Sequence, residues 1–172
     1  MIYNDAKYFA IAAHSAIGQK RKYTGEPYWH HPERVVEIVS SVEHTPEMIA
    51  AAWLHDVVED TEVSIEEIVE HFGSEIAGIV RVLTKPSWIK GLDNKHIPEA
   101  YNQRLSEAGY KVQTIKLADL IDNTSTIVKL DPKFAKVYLK EKRDLLDVIA
   151  HGNSDLWDTA NKLSQKNVSH TT

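Results

Sequence analysis

Apolar side chains recur every three or four residues along most of this chain, and this spacing constrains the fold more than any other feature. Helix start signals accompany the pattern: Ser64 and Glu67 form a capping box, and Asp131 precedes Pro132 at a helix N-terminus. β-branched runs are short and do not alternate with polar residues, so a sheet is not expected. The sequence therefore predicts an all-α fold, a single-domain helical bundle. The predicted helices cover 3–17, 74–83, 110–130, 132–150 and 155–166, with three more that begin at Pro32, Pro46 and Ser64, the last ending at Gly73.

Composition narrows the class of protein further. The 172 residues are enough for one domain, so 1–172 is expected to form a single unit with a core over about 3–166 and a frayed C-terminal tail. The absence of cysteine excludes disulfides and thiolate metal sites. A net charge of −5 argues against nucleic-acid or membrane binding by overall electrostatics. Because no apolar run reaches the length of a membrane span and no secretory signal pattern opens the chain, a cytoplasmic location is expected.

The chemistry-bearing residues are most concentrated in the run His55-Asp56-Val57-Val58-Glu59-Asp60. His55 and Glu59 are four residues apart, as are Asp56 and Asp60, so a continuous helix would place all four groups on one side. An imidazole beside a carboxylate is a mixed nitrogen and oxygen ligand pair for a metal ion. The second carboxylate pair is placed to move the protons of an attacking water. A solvated acidic helix end is the alternative interpretation.

Two further segments add candidate ligands. His31 precedes Pro32 and is expected just before a helix start, where the proline restricts it to an extended conformation. Asp119 lies in an apolar helical stretch, where a carboxylate is costly unless it is paired or bound to a metal, and Asn123 is one turn later on the same face. Together with His55 and Asp56, the residues His31 and Asp119 form a set of two imidazoles and two carboxylates without sulfur. Such a set suits Mn²⁺, Fe²⁺, Zn²⁺ or Co²⁺ and predicts metal-assisted hydrolysis at phosphorus.

A short basic run precedes this histidine. Lys20, Arg21 and Lys22 are consecutive cations in a chain of negative net charge, and arginine can grip phosphate or stack on a planar base. A solvated charge run is the alternative. The aperiodic stretch 85–98 is expected to be a loop over one end of the bundle, with lysines that could cover an anionic ligand.

Three segments, taken in this order and separation, resemble the hydrolase domain of the RelA/SpoT homologues, within the HD phosphohydrolase superfamily. They are Gly18 to Pro32, Ala51 to Thr61 and Val112 to Asn123, and the match runs from about Ala12 to Leu130. The resemblance implies a stand-alone HD-type hydrolase domain that removes the 3′-pyrophosphate of guanosine tetra- or pentaphosphate, usually with Mn²⁺, and whose partner is a purine nucleotide.

The resemblance also assigns roles to individual residues. It implies the metal ligands His31, His55, Asp56 and Asp119, and the water-activating pair Glu59 and Asp60. It implies that the nucleotide is contacted by Arg21, Lys22, Asn123 and Thr126.

Departures from the family pattern bear on specificity. Thr124 and Ser125 stand where an apolar residue and an arginine are common, and Asp122 stands where histidine or tyrosine is common. The absence of this arginine would weaken one contact, either to a phosphate of the substrate or within the fold. The pyrophosphate contacts of the loop 85–99 do not follow from the sequence.

Alternatives stay open at this point. The same site could act on adenosine alarmones or as an NADPH 2′-phosphatase, because base discrimination rests on a few hydrogen bonds. A sensor that binds the nucleotide without turnover is a different class, disfavoured because the four ligands and the Glu-Asp pair are all present. Sequence gives no oligomeric state.

Overall fold

The computed structural model describes residues 1–85 and 97–165, and within them it confirms an all-α fold. None of the described helices is both long enough and apolar enough to cross a membrane. The helices are α1 Ile2–Ala16, α2 His30–Ser40, α3 Pro46–Leu54, α4 Val57–Asp60, α5 Ile65–Leu83, α6 Ile97–Ser106, α7 Tyr110–Leu130, α8 Pro132–Val148 and α9 Ser154–Gln165.

Several predicted boundaries are confirmed by the capping contacts. Ser64 and Glu67 form the capping box of α5, with the Ser64 hydroxyl 3.2 Å from the backbone nitrogen of Glu67. The Asp131 carboxylate accepts from the Phe134 backbone N–H at 3.1 Å and so caps α8. Gly73 breaks α5 with φ 85° and ψ 169°, a conformation that side-chain-bearing residues avoid. Two capping bonds and the backbone conformation of one glycine therefore set these boundaries where the sequence predicts them.

Three predictions about the backbone are wrong. His31 does not precede a helix in an extended conformation, because α2 begins at His30 and Pro32 lies in its first turn, where its missing N–H has no intrahelical partner to lose. The helix that begins at Pro46 ends at Leu54, so His55 and Asp56 form a turn before the short α4 instead of continuing it. α6 begins at Ile97, inside the stretch expected to be a loop. Residues 86–96 of that loop and the tail 166–172 lie outside the described residues.

The core is built around α3 and α7. α3 packs against α1, α2, α5 and α7, and its residues from Ala50 to Leu54 are all buried. α7 packs against α2, α5, α8 and α9. Because α2 contacts both of these central helices, the three segments that carry the candidate ligands meet at one place.

The end of α7 away from the ligands is fixed by a buried amide. The Gln113 side chain donates to the carbonyls of Leu105 and Ala108, both at 2.9 Å, and accepts from the His151 backbone N–H at 2.8 Å. These bonds join the α6–α7 turn to the α8–α9 connection. Gly152 in that connection lies so close to α7 that a Cβ there would be 2.6 Å from Leu117 Cδ1.

Candidate active site

His55 is held so that one ring nitrogen has no hydrogen bond. Its Nδ1 lies 2.7 Å from the Ala52 carbonyl oxygen, which can only accept, so Nδ1 carries the hydrogen. The buried Nε2 makes no well-aligned hydrogen bond, yet it lies 3.1 Å from Asp56 Oδ2 and 3.7 Å from Asp119 Oδ1. In the neutral ring this nitrogen is a lone pair that faces two carboxylate oxygens. A cation or a second proton is needed between them.

His31 presents the same arrangement from α2. Its Nδ1 is 2.6 Å from Asp122 Oδ2, and its Nε2 is 3.1 Å from Asp119 Oδ1 and 3.6 Å from Asp56 Oδ2. The ring is fully buried, and its centroid is 5.2 Å from that of His55. Both imidazoles therefore direct Nε2 at the same pair of carboxylates.

This donor set fits a divalent transition metal ion. Ligand atoms of His31, His55 and Asp56 lie within 4.8 Å of one another, and Asp119 Oδ1 lies close to both Nε2 atoms. Ligands about 2.1 Å from one ion are separated by about 3 to 4 Å, which matches these spacings. Two neutral imidazoles and two carboxylates would leave the complex with no net charge, so the buried carboxylates would be compensated.

Without an ion, the carboxylates hold protons on the rings instead. Burial lowers the pKa of His55, but the charges of Asp56 and Asp119 outweigh it and keep this pKa well above its usual value. The pKa of His31 is also raised, since its bonds to Asp119 and Asp122 outweigh burial. Metal and protons therefore compete for the same nitrogen atoms.

Neighbouring side chains orient the two carboxylates. The Tyr28 hydroxyl donates to Asp56 Oδ2 at 2.6 Å. Asp119 accepts from Lys116 Nζ and from Asn123 Nδ2, both at 2.7 Å. Burial raises the pKa of Asp119, but the Lys116 charge and the bonds from the histidines hold it well below its usual value. The pKa of Asp56 is lowered as well, because the charge of His55 and its contact with Asp56 outweigh burial, so both carboxylates are ionised and fixed in position.

Glu59 and Asp60 line the cavity beside this centre. Glu59 Oε1 accepts from the Lys85 backbone N–H at 2.8 Å, and Asp60 Oδ2 accepts from Gln19 Nε2 at 3.1 Å. Burial raises the pKa of both acids, and the charge of Asp56 raises it further. The Gln19 amide is itself held by His14, whose Nδ1 is 2.8 Å from Gln19 Oε1.

The cavity has the dimensions of a nucleotide site. Its volume is about 650 Å³, within the range of small-molecule pockets. Besides the acids, the lining carries cations and aromatic rings, which are Lys85, Lys116, Lys142, Tyr101 and Tyr138. An anionic ligand with a planar base could be held here without burying an unpaired charge.

The candidate nucleotide contacts are not all brought to this cavity. Asn123 lines it, and Arg21 reaches its rim by donating from NH1 to Asn123 Oδ1 at 3.0 Å. Lys22 is exposed and extends over the rings of Tyr23 and Phe134, at 5.2 and 5.7 Å. The hydroxyl of Thr126 donates to the Asp122 carbonyl at 3.1 Å. The structure thus brings two of the four residues together with the candidate ligands.

Asp122 has a position that the sequence analysis missed. Its carboxylate contacts His31 Nδ1 through Oδ2, and Oδ1 accepts from Arg34 Nε at 2.7 Å. Arg21 NH2 is 3.6 Å from the same carboxylate. The departure at this position was visible in the sequence, but its pairing with α2 residues was not. The two arginines also supply positive charge beside the segment where Thr124 and Ser125 lack the expected cation.

Other missed residues lay inside the quoted motifs. Tyr28 and Lys116 were part of the matched segments, and each forms a short bond to a candidate ligand. Gln19 belongs to the first segment and positions Asp60. The signal that could have identified these three residues was their polar side chain at a fixed position within a matched segment. Lys142 gave none, because it lies in an exposed-looking charged stretch of α8.

The sequence is similar to one protein family and to several curated proteins. The model of one protein family, described as an HD domain, matches residues 6–151. A probable guanosine-3′,5′-bis(diphosphate) 3′-pyrophosphohydrolase of Synechocystis sp. is 34% identical over 142 residues, 81% of this chain and 19% of that protein. The guanosine-3′,5′-bis(diphosphate) 3′-pyrophosphohydrolase of Aquifex aeolicus is 32% identical over 148 residues, 85% of this chain and 21% of that protein. The chain therefore spans about a fifth of the length of these curated relatives.

A solved structure agrees over nearly its full length. A metazoan ortholog of SpoT, described as hydrolysing ppGpp with a role in starvation responses, superposes with a TM-score of 0.84 at 25% identity. The match covers 94% of this chain and 93% of that one. These similarities confirm the resemblance to RelA/SpoT hydrolase domains that the three motifs predicted. Since the family model matches most of the chain, including the His55-Asp56 pair at the candidate metal centre, this protein belongs to the HD domain family.

Proposed function

We propose that this chain hydrolyses guanosine tetra- and pentaphosphate to GDP or GTP and pyrophosphate, with Mn²⁺ as the bound ion. The observation that carries the proposal is the convergence of two Nε2 atoms and two carboxylates beside a cavity that also holds Glu59 and Asp60. The names of the Synechocystis and Aquifex relatives and of the metazoan structure support the guanosine substrate.

The reaction breaks one bond to phosphorus. A water oxygen attacks the phosphorus nearest the ribose, the bond from that phosphorus to the ribose 3′-oxygen breaks, and the 3′-oxygen takes a proton. His31, His55, Asp56 and Asp119 would hold the metal ion. When bound, the ion supplies Lewis-acid chemistry: it lowers the pKa of a water and withdraws charge from a phosphate oxygen.

Glu59 and Asp60 have the properties of the proton-handling pair. Burial and the charge of Asp56 raise the pKa of each carboxyl, which makes each carboxylate a stronger base than an ordinary one. Each is also held by a hydrogen bond, from the Lys85 backbone and from Gln19. We assign the water proton to Glu59 and the positioning of the water to the pair.

Arg21 and Asn123 are the proposed nucleotide contacts at the rim. Arg21 is fixed by Asn123, and its guanidinium carbon is 5.8 Å from the centre of the Tyr28 ring. A planar cation held in this way can stack on a purine and leave its other N–H groups for phosphate. Lys22 and Thr126 stay proposals from the family resemblance, and a bound nucleotide would have to bring Lys22 inward.

The test is product analysis with a panel of substrates. Metal-stripped protein is incubated with guanosine tetraphosphate, its adenosine analogue or NADPH, each with and without Mn²⁺, and the products are separated. We expect GDP and pyrophosphate from the guanosine compound only when Mn²⁺ is present. Release of single phosphates, or faster turnover of the adenosine compound or of NADPH, would contradict the proposed substrate.

A further inference from the structure

Lys142 is a lysine in the cavity wall for which the described part of the chain offers no ion-pair partner. It lies on α8, is half-buried, and places Nζ 4.9 Å from the centre of the Tyr138 ring. Among residues 1–85 and 97–165 it forms no hydrogen bond and no ion pair. Lys116 in the same wall differs, because its Nζ is bonded to Asp119 at 2.7 Å.

The surroundings of Lys142 are unfavourable for a charge by itself. Burial, together with the charges of Lys116 and Lys85, outweighs the opposing charges of Asp119 and Glu141 and lowers the pKa of Lys142 to about 8. Glu141 and Asp144 also line the cavity, but both are exposed and neither pairs with it. An ammonium group that forms no ion pair with the described residues, and that is open to a cavity, is arranged to receive an anion from that cavity.

We propose that Lys142 binds a phosphate of the nucleotide. The inference rests on the proposed function, since it takes a substrate with a diphosphate on each side of the ribose. The candidate metal ligands lie on α2, on α7 and in the turn between α3 and α4, whereas Lys142 enters the cavity from α8. Tyr138 supports the ammonium group through its ring face.

Either diphosphate of the substrate offers the same chemistry, so the test uses one probe for each. Calorimetry measures binding of GDP and of inorganic pyrophosphate to the full chain loaded with Mn²⁺ and desalted. Both probes are products, so no turnover interferes. The variants are Lys142→Gln, Lys142→Arg and the control Lys140→Gln, an exposed lysine on the same helix.

We expect Lys142→Gln to weaken one of the two probes about tenfold or more, because a charge-assisted bond to phosphate is lost. Weaker GDP binding would assign Lys142 to the 5′-diphosphate, and weaker pyrophosphate binding to the 3′-diphosphate. Lys142→Arg should keep most of the affinity. Unchanged binding of both probes to Lys142→Gln, or an equal loss in Lys140→Gln, would overturn the inference.

The two proposals fail separately. If guanosine tetraphosphate is not hydrolysed but Lys142→Gln still loses affinity for a probe, the proposed function is wrong and the phosphate contact stands. If hydrolysis occurs and both probes bind Lys142→Gln like the unaltered chain, only the contact is wrong.

Discussion

Replacing Asp122 with asparagine is expected to weaken metal binding although Asp122 is not a proposed ligand. Its Oδ2 is 2.6 Å from Nδ1 of His31, whose Nε2 faces the candidate metal centre. The carboxylate fixes the hydrogen on Nδ1 and makes Nε2 more electron-rich. Asparagine can still accept this hydrogen bond through its amide oxygen, so the substitution removes the charge but keeps the acceptor.

The expected loss follows from this position. Removing such a partner of a ligating histidine typically costs 10- to 100-fold in metal affinity, or about 1.4 to 2.8 kcal/mol. Arg34 and Arg21 would meanwhile lose a negative partner at 2.7 and 3.6 Å, which adds positive charge beside the metal and moves the result toward the upper value.

The assay is electron paramagnetic resonance of free Mn²⁺ during titration of the metal-stripped protein. The control is Asp147→Asn, an exposed aspartate on α8 that removes the same charge far from His31. Circular dichroism in chelator checks that Asp122→Asn remains folded. A dissociation constant within twofold of the unaltered protein would refute the reasoning, because His31 would then not depend on Asp122.

Three other perturbations have defined outcomes. Glu59→Gln should keep Mn²⁺ but lower kcat by about 10²- to 10⁴-fold, since the amide cannot take a proton, as measured by steady-state hydrolysis and metal content. Gly152→Ala should lower the free energy of unfolding by about 1 to 3 kcal/mol in urea, because its Cβ would meet Leu117 Cδ1 at 2.6 Å. In chelator, the melting temperature should fall as pH rises above about 6.5, because His31 and His55 have raised pKa values in the folded state.

The sign of the pH effect follows from proton linkage. A histidine with a raised folded pKa stabilises the fold fully below its unfolded pKa of about 6.5, and this contribution is lost as pH rises through the folded pKa. Bound Mn²⁺ should reverse the trend, because deprotonated imidazoles bind metal better. A melting temperature that rises with pH in chelator would contradict this account.

Matched variants separate local from general effects. Gly78→Ala, in a helix where an added Cβ meets nothing within 4 Å, should be neutral or stabilising, and an equal loss there would remove the steric explanation for Gly152. Glu62→Gln is the control for Glu59→Gln, because it removes an exposed carboxylate only three residues away. Full activity of Glu59→Gln would show that Glu59 has no part in the mechanism.

Local signals made much of the fold predictable. The end of α7 at Leu130 and the cap of α8 at Asp131 follow from bonds between near neighbours, which a sequence pattern encodes directly. The break after Leu54 does not follow in this way, because Asp56 is held by Tyr28 and His55 directs Nε2 at Asp119, and both of these partners lie in distant segments of the chain. The helical pattern there predicted which residues face the site, but it wrongly predicted a continuous helix through His55 and Asp56.

The candidate ligands were predictable as residue types, and their convergence was not. His31 and Asp122 are 91 residues apart and meet only because α2 packs against α7. The position of Lys142 in the cavity was harder to predict, since a lysine in a charged helix usually faces solvent. Its place in the cavity depends on how α8 packs against α7, which no short motif encodes.

Stoichiometric titration with Mn²⁺ tests the central claim most directly. Bound metal and the initial rate of guanosine tetraphosphate hydrolysis are measured together on the metal-stripped chain and on Asp56→Ala. We predict that the rate rises in proportion to bound Mn²⁺ and saturates at one ion per chain, and that Asp56→Ala loses both. Full activity without bound metal, or tight Mn²⁺ binding by Asp56→Ala, would contradict the assignment of this centre.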